Sequence, residues 1–203
     1  MADVALGIPQ AGAHEQAPPR PDFEVIPRKG LIAVAVVLIA VIAAIASNAL
    51  WPIAFVHFVG GAAWTIIDLF LGFVLGPILG KLSVPAKAEL TTRLMPKMAL
   101  IMPTVVTATL AGGWQLGVHL GTVQSNYYNH SWVVASYIVV GVMAVIALGL
   151  LEPANIAVLF ELKKPRPNPA VIEKLMKRFI YTAAATGAMQ VATLVIMTKL
   201  AIG

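Results

Sequence analysis

The chain has 203 residues, of which 59% are hydrophobic and 11% charged, with a formal net charge of +5 and no cysteine. An ordinary soluble domain carries about 25% charged residues, so a chain this short could not hide its apolar surface in a water-soluble core. The absence of cysteine excludes disulfides, thiolate catalysis and iron–sulfur clusters, and the scattered basic residues argue against nucleic-acid binding. The composition therefore predicts an all-α polytopic membrane protein embedded in the lipid bilayer.

The N-terminal segment, residues 1–27, is polar and rich in proline. Its acidic residues and its lack of an early apolar run argue against a signal peptide. Repeated prolines favour an extended conformation over a packed domain. We therefore predict that residues 1–27 form a Pro-rich cytoplasmic arm and that residues 28–203 form a transmembrane helical domain.

Five apolar segments follow the arm, each long enough to cross a hydrocarbon core of about 30 Å. Their continuous apolar runs are unlike the alternating pattern of membrane β-strands. An alternative with four spans would leave the first run, about 20 apolar residues, without lipid. The predicted spans are residues 30–49, 52–79, 94–120, 132–151 and 179–202, with a possible helical continuation of the fourth to Leu162.

The Lys and Arg residues predict how these spans are oriented. Of the 14 basic residues, all but Lys199 fall on one side of the predicted bundle, and residues 121–131 contain none. Cytoplasmic loops of membrane proteins carry the excess of Lys and Arg. With an odd number of spans, the N-terminus is then inside and the C-terminus outside, and we expect the inner or plasma membrane of a prokaryotic cell.

Two histidines are predicted near the outer ends of neighbouring spans. His57 lies about 8 Å into the second span, and His119 ends the third. Imidazoles from adjacent helices at one level can bind haem b or a metal ion, and His130 in the outer loop is a third candidate metal ligand. The alternative is an interfacial histidine bonded to backbone or water. The glycines beside these histidines would either admit a flat cofactor or allow close helix packing; they are Gly60, Gly61 and Gly112.

Asp68 is the only formal charge in the second span and lies about 16 Å below His57. Ionisable residues at such depth are costly and often functional, so Asp68 is predicted to be a proton relay or a protonated hydrogen-bond hub. Glu152 precedes a proline that should kink or end the fourth span, and we expect it to pair with a Lys or Arg of the inner loop. The polar side chains predicted at the depth of Asp68 are Thr107, Thr109, Thr186 and Gln190.

A short motif runs through the second and third spans. It consists of Ala54, Phe55, His57 and Trp64, then Arg93 and Leu94 after a basic loop, then Met102, Pro103, Gly112 and Trp114. This stretch, about residues 53–118, resembles the membrane module shared by the copper-resistance D family and the haem-containing bacterial protoporphyrinogen oxidases. The resemblance implies that His57 is the haem-ligand or metal-ligand histidine. The oxidases also carry a Lys and a His in their third module helix, and residues 132–151 contain neither.

The favoured functional hypothesis is an integral membrane subunit of a larger respiratory or redox complex, with other membrane subunits as partners and outer-side histidines that bind haem b or a metal. The alternative is a stand-alone haem-dependent membrane oxidoreductase or a copper-handling membrane protein. The chain lacks a phosphate-binding glycine loop, an HExxH pair and a GxSxG elbow. No catalytic residue is therefore predicted, and enzyme activity is left open.

Overall fold

The computed structural model describes residues 23–202, except for the side chain of Val84. Most of the predicted Pro-rich arm therefore lies outside the described residues. Within them the chain forms helices and no strand, and five helices are long and apolar enough to cross a membrane, which confirms the predicted all-α class and the five candidate spans. They are α1 (Arg28–Ala46), α2 (Leu50–Lys81), α3 (Val84–His119), α4 (His130–Leu162) and α5 (Pro169–Ile202).

The helices are longer than the apolar runs that predicted them. α3 begins ten residues before its apolar run, and so does α5, while α4 continues to Leu162. At 36 residues, α3 is about 54 Å long, well beyond a hydrocarbon core of about 30 Å. The helical hydrogen bonds thus continue into polar turns, because apolar patterning marks contact with lipid and not the end of a helix.

Helices that are consecutive in the chain run antiparallel. Gly112, near the end of α3, packs on His57, near the start of α2. Thr193, late in α5, lies 3.5 Å from the sulfur of Met143 in the first half of α4. The starts of α1, α3 and α5 therefore lie at one end of the bundle, which we call the basic end. All described Lys and Arg residues except Lys199 lie in that half.

The core consists of two apolar layers, while α1 lies at the periphery and buries only Val41 and Ala44. α3 contacts α1, α2 and α4, and α5 contacts α2 and α4. The layer nearer the basic end is built around Leu71, Met95, Leu151, Phe179 and Ala183. The layer above it is built around Trp64, Met102, Val106, Met143 and Ala147.

Two helices that contribute to these layers contain interruptions of regular α-helical winding. α2 contains a wider π-helical turn at Phe70–Leu75, and α4 contains one at Ala147–Leu151. Such turns shift the register of the side chains that follow them, and they occur frequently at functional sites.

A buried side chain of α4 forms hydrogen bonds with backbone groups of α3. α3 contains Pro96, whose ring disturbs the helical hydrogen bonds around it. Asn155 is fully buried next to this proline. In the amide orientation that satisfies both groups, its NH₂ donates to the carbonyl of Met95 at 3.3 Å and its oxygen accepts from the N–H of Ala99 at 3.0 Å. Asn155 thereby fixes the contact between the two helices.

Candidate functional site

His57 lies where α2 meets α3, and its ring is held by the backbone. Its Nδ1 lies 3.0 Å from the carbonyl oxygen of Thr109. Because a carbonyl oxygen only accepts, this hydrogen bond assigns the proton to Nδ1 and leaves the lone pair on Nε2. Nε2 has no hydrogen-bond partner among residues 23–202, and the side chain is only half-buried. Metal-bound and haem-bound histidines use this arrangement, in which one ring nitrogen is fixed by a carbonyl and the other is free to coordinate.

Glycines of α3 make the space that His57 occupies. A Cβ atom at Gly112 would lie 2.9 Å from the backbone nitrogen of His57, and one at Gly113 would lie 2.7 Å from its Cε1. On α2, a Cβ at Gly60 would lie 2.8 Å from the Thr109 hydroxyl. Gly60 and Gly112 were predicted either to admit a flat cofactor or to allow close helix packing, and the structure shows close helix packing at both. The space beside them is filled by the protein's own atoms.

The other candidate histidines lie further along the bundle than His57. α3 continues six residues past Gly113 to His119, about 9 Å along the helix axis, and His119 is exposed. His130 opens α4, and its Nδ1 is buried with no partner among the described atoms. The described part of the chain contains no group of three or more His, Cys, Asp or Glu side chains that could hold a metal. A shared haem or metal site of His57 with His119, or with both His119 and His130, stays a prediction.

Asp68 forms the second polar site, between α2 and α5. It is fully buried, and a Cβ at Gly187 of α5 would lie 3.3 Å from its backbone oxygen. Three side chains adjoin its carboxyl group: Trp64 from the preceding turn of α2, and Thr186 and Gln190 from α5. The predicted neighbours on α5 are thus confirmed. Sequence reasoning missed Trp64, although its spacing of four residues from Asp68 places the two on one helix face.

The polar atoms around Asp68 are close together but incompletely bonded. Both carboxyl oxygens, the indole nitrogen of Trp64 and the amide nitrogen of Gln190 lack a hydrogen bond of standard geometry among the described residues. The hydroxyl of Thr65 lies 3.0 Å from Oε1 of Gln190. The hydroxyl of Thr186 donates into its own helix, to the carbonyl of Thr182 or Ala183. The cluster therefore presents two N–H donors and one hydroxyl lone pair to the carboxyl group.

The predicted neighbours of Asp68 on the third span, Thr107 and Thr109, were wrong. Thr109 lies against Gly60 and binds His57, and Thr107 is exposed. Asp68 lies eight residues beyond Gly60, about 12 Å further along α2. The prediction measured depth from the ends of the apolar runs, whereas the glycine contacts set the actual register of α2 against α3.

Glu152 was also predicted wrongly. Instead of pairing with a loop cation it is buried beside Asn155, and neither carboxyl oxygen has a hydrogen bond of standard geometry among the described residues. The reason is that α4 does not end at Pro153 but continues to Leu162. Membrane helices tolerate a proline where a nearby π-helical turn adjusts the backbone hydrogen bonds. Here the π turn at Ala147–Leu151 lies just before Pro153. Glu161, nine residues later, is the residue that binds Lys164, at 2.5 Å.

The two buried acids lie at similar levels in the bundle, each next to a π turn. Trp64 and Ala147 belong to one apolar layer, and Leu71 and Leu151 belong to the other. Asp68 lies between the two α2 residues, and Glu152 directly follows Leu151, so the acids differ in level by about one helical turn. The similar level of the two acids could not be predicted from the sequence, because a π turn shifts the register of a helix without altering its apolar pattern.

Comparisons with family models, curated proteins and solved structures give no match for this chain. The likeness of residues 53–118 to the copper-resistance D and protoporphyrinogen oxidase module rests on the motif alone. It stays a prediction, as does the ligand role that it implies for His57.

Proposed function

We propose that this chain is an integral membrane subunit of a larger redox complex, and that His57 binds haem b through Nε2. The observation that supports the proposal is the hydrogen bond from Nδ1 to the Thr109 carbonyl, which leaves Nε2 as a coordinating atom with a fixed direction. A carbonyl partner on Nδ1 also raises the basicity of the ring, which favours its binding to iron.

The surroundings of His57 would suit a residue that holds a haem. Gly112 and Gly113 hold the backbone and ring in one place, and the ring of Phe58 lies 5.7 Å away between centroids. Haem b would supply one-electron chemistry, while the chain would set the polarity around it. His57 and His119, which lies further out on α3, are the residues that would hold it.

The orientation of the bundle follows from the positive-inside rule. The basic end lies in the cytoplasm, the N-terminus is inside and the C-terminus is outside, in a prokaryotic inner or plasma membrane. His57 then lies in the outer half of the membrane, where an electron would enter or leave near the outer face. Partner subunits in the same membrane would supply or accept that electron.

Difference spectra of the purified protein, with haem supplied during expression, test the haem site. We expect a reduced-minus-oxidised haem b spectrum that His57→Ala abolishes. Gly113→Ala should weaken the spectrum strongly, because its Cβ would lie 2.7 Å from Cε1 of His57, whereas Gly141→Ala, where nothing lies within 4 Å, should leave it unchanged. An unaltered spectrum in His57→Ala would contradict the proposal, and so would a wild-type protein without haem.

Two further measurements separate the proposal from its alternatives. Native mass spectrometry in mild detergent should find the chain bound to other membrane subunits, and a stable lone monomer would support the stand-alone oxidoreductase instead. Metal analysis of His57→Ala and His130→Ala tests copper handling. We expect both variants to contain as much copper as the wild-type protein. A loss of copper in both would favour a copper-handling membrane protein.

A further inference from the structure

The carboxyl group of Asp68 is enclosed by neutral hydrogen-bonding groups. It has no accessible surface, and the side chains that adjoin it are Trp64, Thr186 and Gln190. A charged carboxylate in such a setting carries a large desolvation cost unless a cation or several hydrogen bonds offset it. The protonation state of Asp68 therefore depends on the balance between this desolvation cost and the hydrogen bonds of its three neighbours.

The neighbours complete the hydrogen bonds of a neutral acid. The indole N–H of Trp64 and the amide of Gln190 are unpaired donors, which suit the carbonyl oxygen of a carboxylic acid. The hydroxyl proton of Thr186 is used within α5, so this oxygen presents a lone pair that can accept the acid proton. A charged carboxylate would instead face that lone pair.

No charged group faces Asp68 from the helices that pack around it. The buried apolar residues of α3 and α4 in the layer with Trp64 are Met102, Val106, Met143 and Ala147, and the nearest basic residue of α3, Lys97, is exposed. On α5 the nearest basic residue, Arg178, lies eight residues from Thr186, about 12 Å along the axis. The nearest titratable group on α4 is Glu152, about one turn away in level, and it would add negative charge. This arrangement disfavours an ionised Asp68.

The donors also exclude a metal cation as the natural occupant. The indole nitrogen of Trp64 and the amide nitrogen of Gln190 carry hydrogens and cannot ligate a cation. Oε1 of Gln190, which could, is occupied by the Thr65 hydroxyl at 3.0 Å. A proton on the carboxyl group meets no such obstacle, because the Thr186 oxygen can accept it.

We propose that Asp68 is a proton-binding site within the membrane, occupied in the resting protein. In loading, a hydronium ion transfers a proton to a carboxylate oxygen and leaves as water. In release, the O–H bond breaks, the oxygen keeps the electron pair and water accepts the proton. Because Gly187 packs on the backbone of Asp68, release requires the contact between α2 and α5 to loosen enough to admit water. This site is independent of the haem proposal.

Infrared spectroscopy with carboxyl-labelled aspartate tests the proposal without any substitution. The chain contains only three aspartates, Asp3, Asp22 and Asp68, so the label cannot report Glu152. At pH 7, well above the ordinary aspartate pKa of about 4, we expect an isotope-shifted carbonyl band from one protonated acid. Asp68→Asn, which mimics the neutral acid in shape, should remove the band, and Glu152→Gln should retain it.

The same spectra contain the outcomes that would overturn the proposal. A labelled wild-type protein with no protonated-acid band at pH 7 would do so, and so would a band that persists in Asp68→Asn. Thr186→Val is the second variant, since it removes the acceptor and keeps the shape. It should shift the labelled band by leaving the acid O–H unbonded, and an unshifted band would remove Thr186 from the site.

Discussion

His57 and Asp68 lie on one helix, and their surroundings differ in kind. His57 is half-buried, with one ring nitrogen bonded to a backbone carbonyl and the other without a partner among the described residues. Asp68 has no exposed surface and is enclosed by side chains of two helices. A group of the first kind can gain or lose a ligand while the helices stay in place. A group of the second kind cannot change its charge without disturbing the packing of α2 on α5.

The largest expected effect concerns the close contact that encloses Asp68. A Cβ at Gly72 of α2 would lie 2.6 Å from the Cα of Ala184 of α5, and backbone atoms cannot move aside as a flexible side chain does. We expect Gly72→Ala to lower the free energy of unfolding by about 3 kcal/mol, as overpacking of a tight core does. Thermal unfolding in detergent measures this change. Gly80→Ala, on the same helix with nothing within 4 Å, should be neutral or slightly stabilising.

The next effect separates the shape of Asp68 from its charge. Asp68→Ala leaves the donors of Trp64 and Gln190 without a carboxyl group, and we expect a loss of about 2 kcal/mol in unfolding free energy. Asp68→Asn keeps the shape and an acceptor oxygen, so it should cost less than about 1 kcal/mol. If the asparagine variant were the less stable of the two, a neutral acid at this position would be untenable.

Asn155 offers a smaller effect at another buried polar side chain. Asn155→Ala removes the two hydrogen bonds to the backbone of α3 beside Pro96, and we expect a loss of about 1 kcal/mol in unfolding free energy. Asn126→Ala, in the exposed loop before α4, is the control and should leave stability unchanged. Equal unfolding curves for the two variants would show that the backbone near Pro96 does not need the amide.

The smallest effect is expected at the surface of the basic end. Arg93 and Glu89 form an ion pair of 2.7 Å one turn apart on α3, and their side chains are 76% and 66% exposed. Exposed pairs of this kind contribute less than about 0.5 kcal/mol because water and salt screen them. Arg93→Ala should therefore leave the unfolding curve nearly unchanged, and a shift as large as that of Asp68→Ala would reveal a contact beyond Glu89.

The sequence predicted the parts of this molecule that depend on apolar length. The five membrane helices and the neighbours of Asp68 on α5 follow from runs of apolar residues and from a rise of about 1.5 Å per residue. The register of α2 against α3 could not be predicted in this way, because glycine contacts at single positions determine it. Thr109 was therefore predicted to be a neighbour of Asp68, whereas its carbonyl oxygen binds His57.

The burial of Glu152 could not be predicted from the sequence either, because it depends on the local geometry of the helix. A proline after an acid usually indicates a helix boundary, and here a π turn allows the helix to continue through Pro153. The hydrogen bond that fixes the tautomer of His57 was equally hidden. Its partner is a backbone carbonyl, and a sequence does not specify which carbonyl a ring will reach.

The central claim is that the ring of His57 is fixed with its proton on Nδ1 and its lone pair on Nε2. Nitrogen-15 NMR of histidine-labelled protein, prepared without haem at alkaline pH, measures this directly, and His57→Ala assigns the signal. We predict a single Nδ1–H tautomer for His57, held by the carbonyl of Thr109. A signal from the Nε2–H tautomer, or from two tautomers in rapid exchange, would contradict the account, because Nε2 would then not be held ready to coordinate.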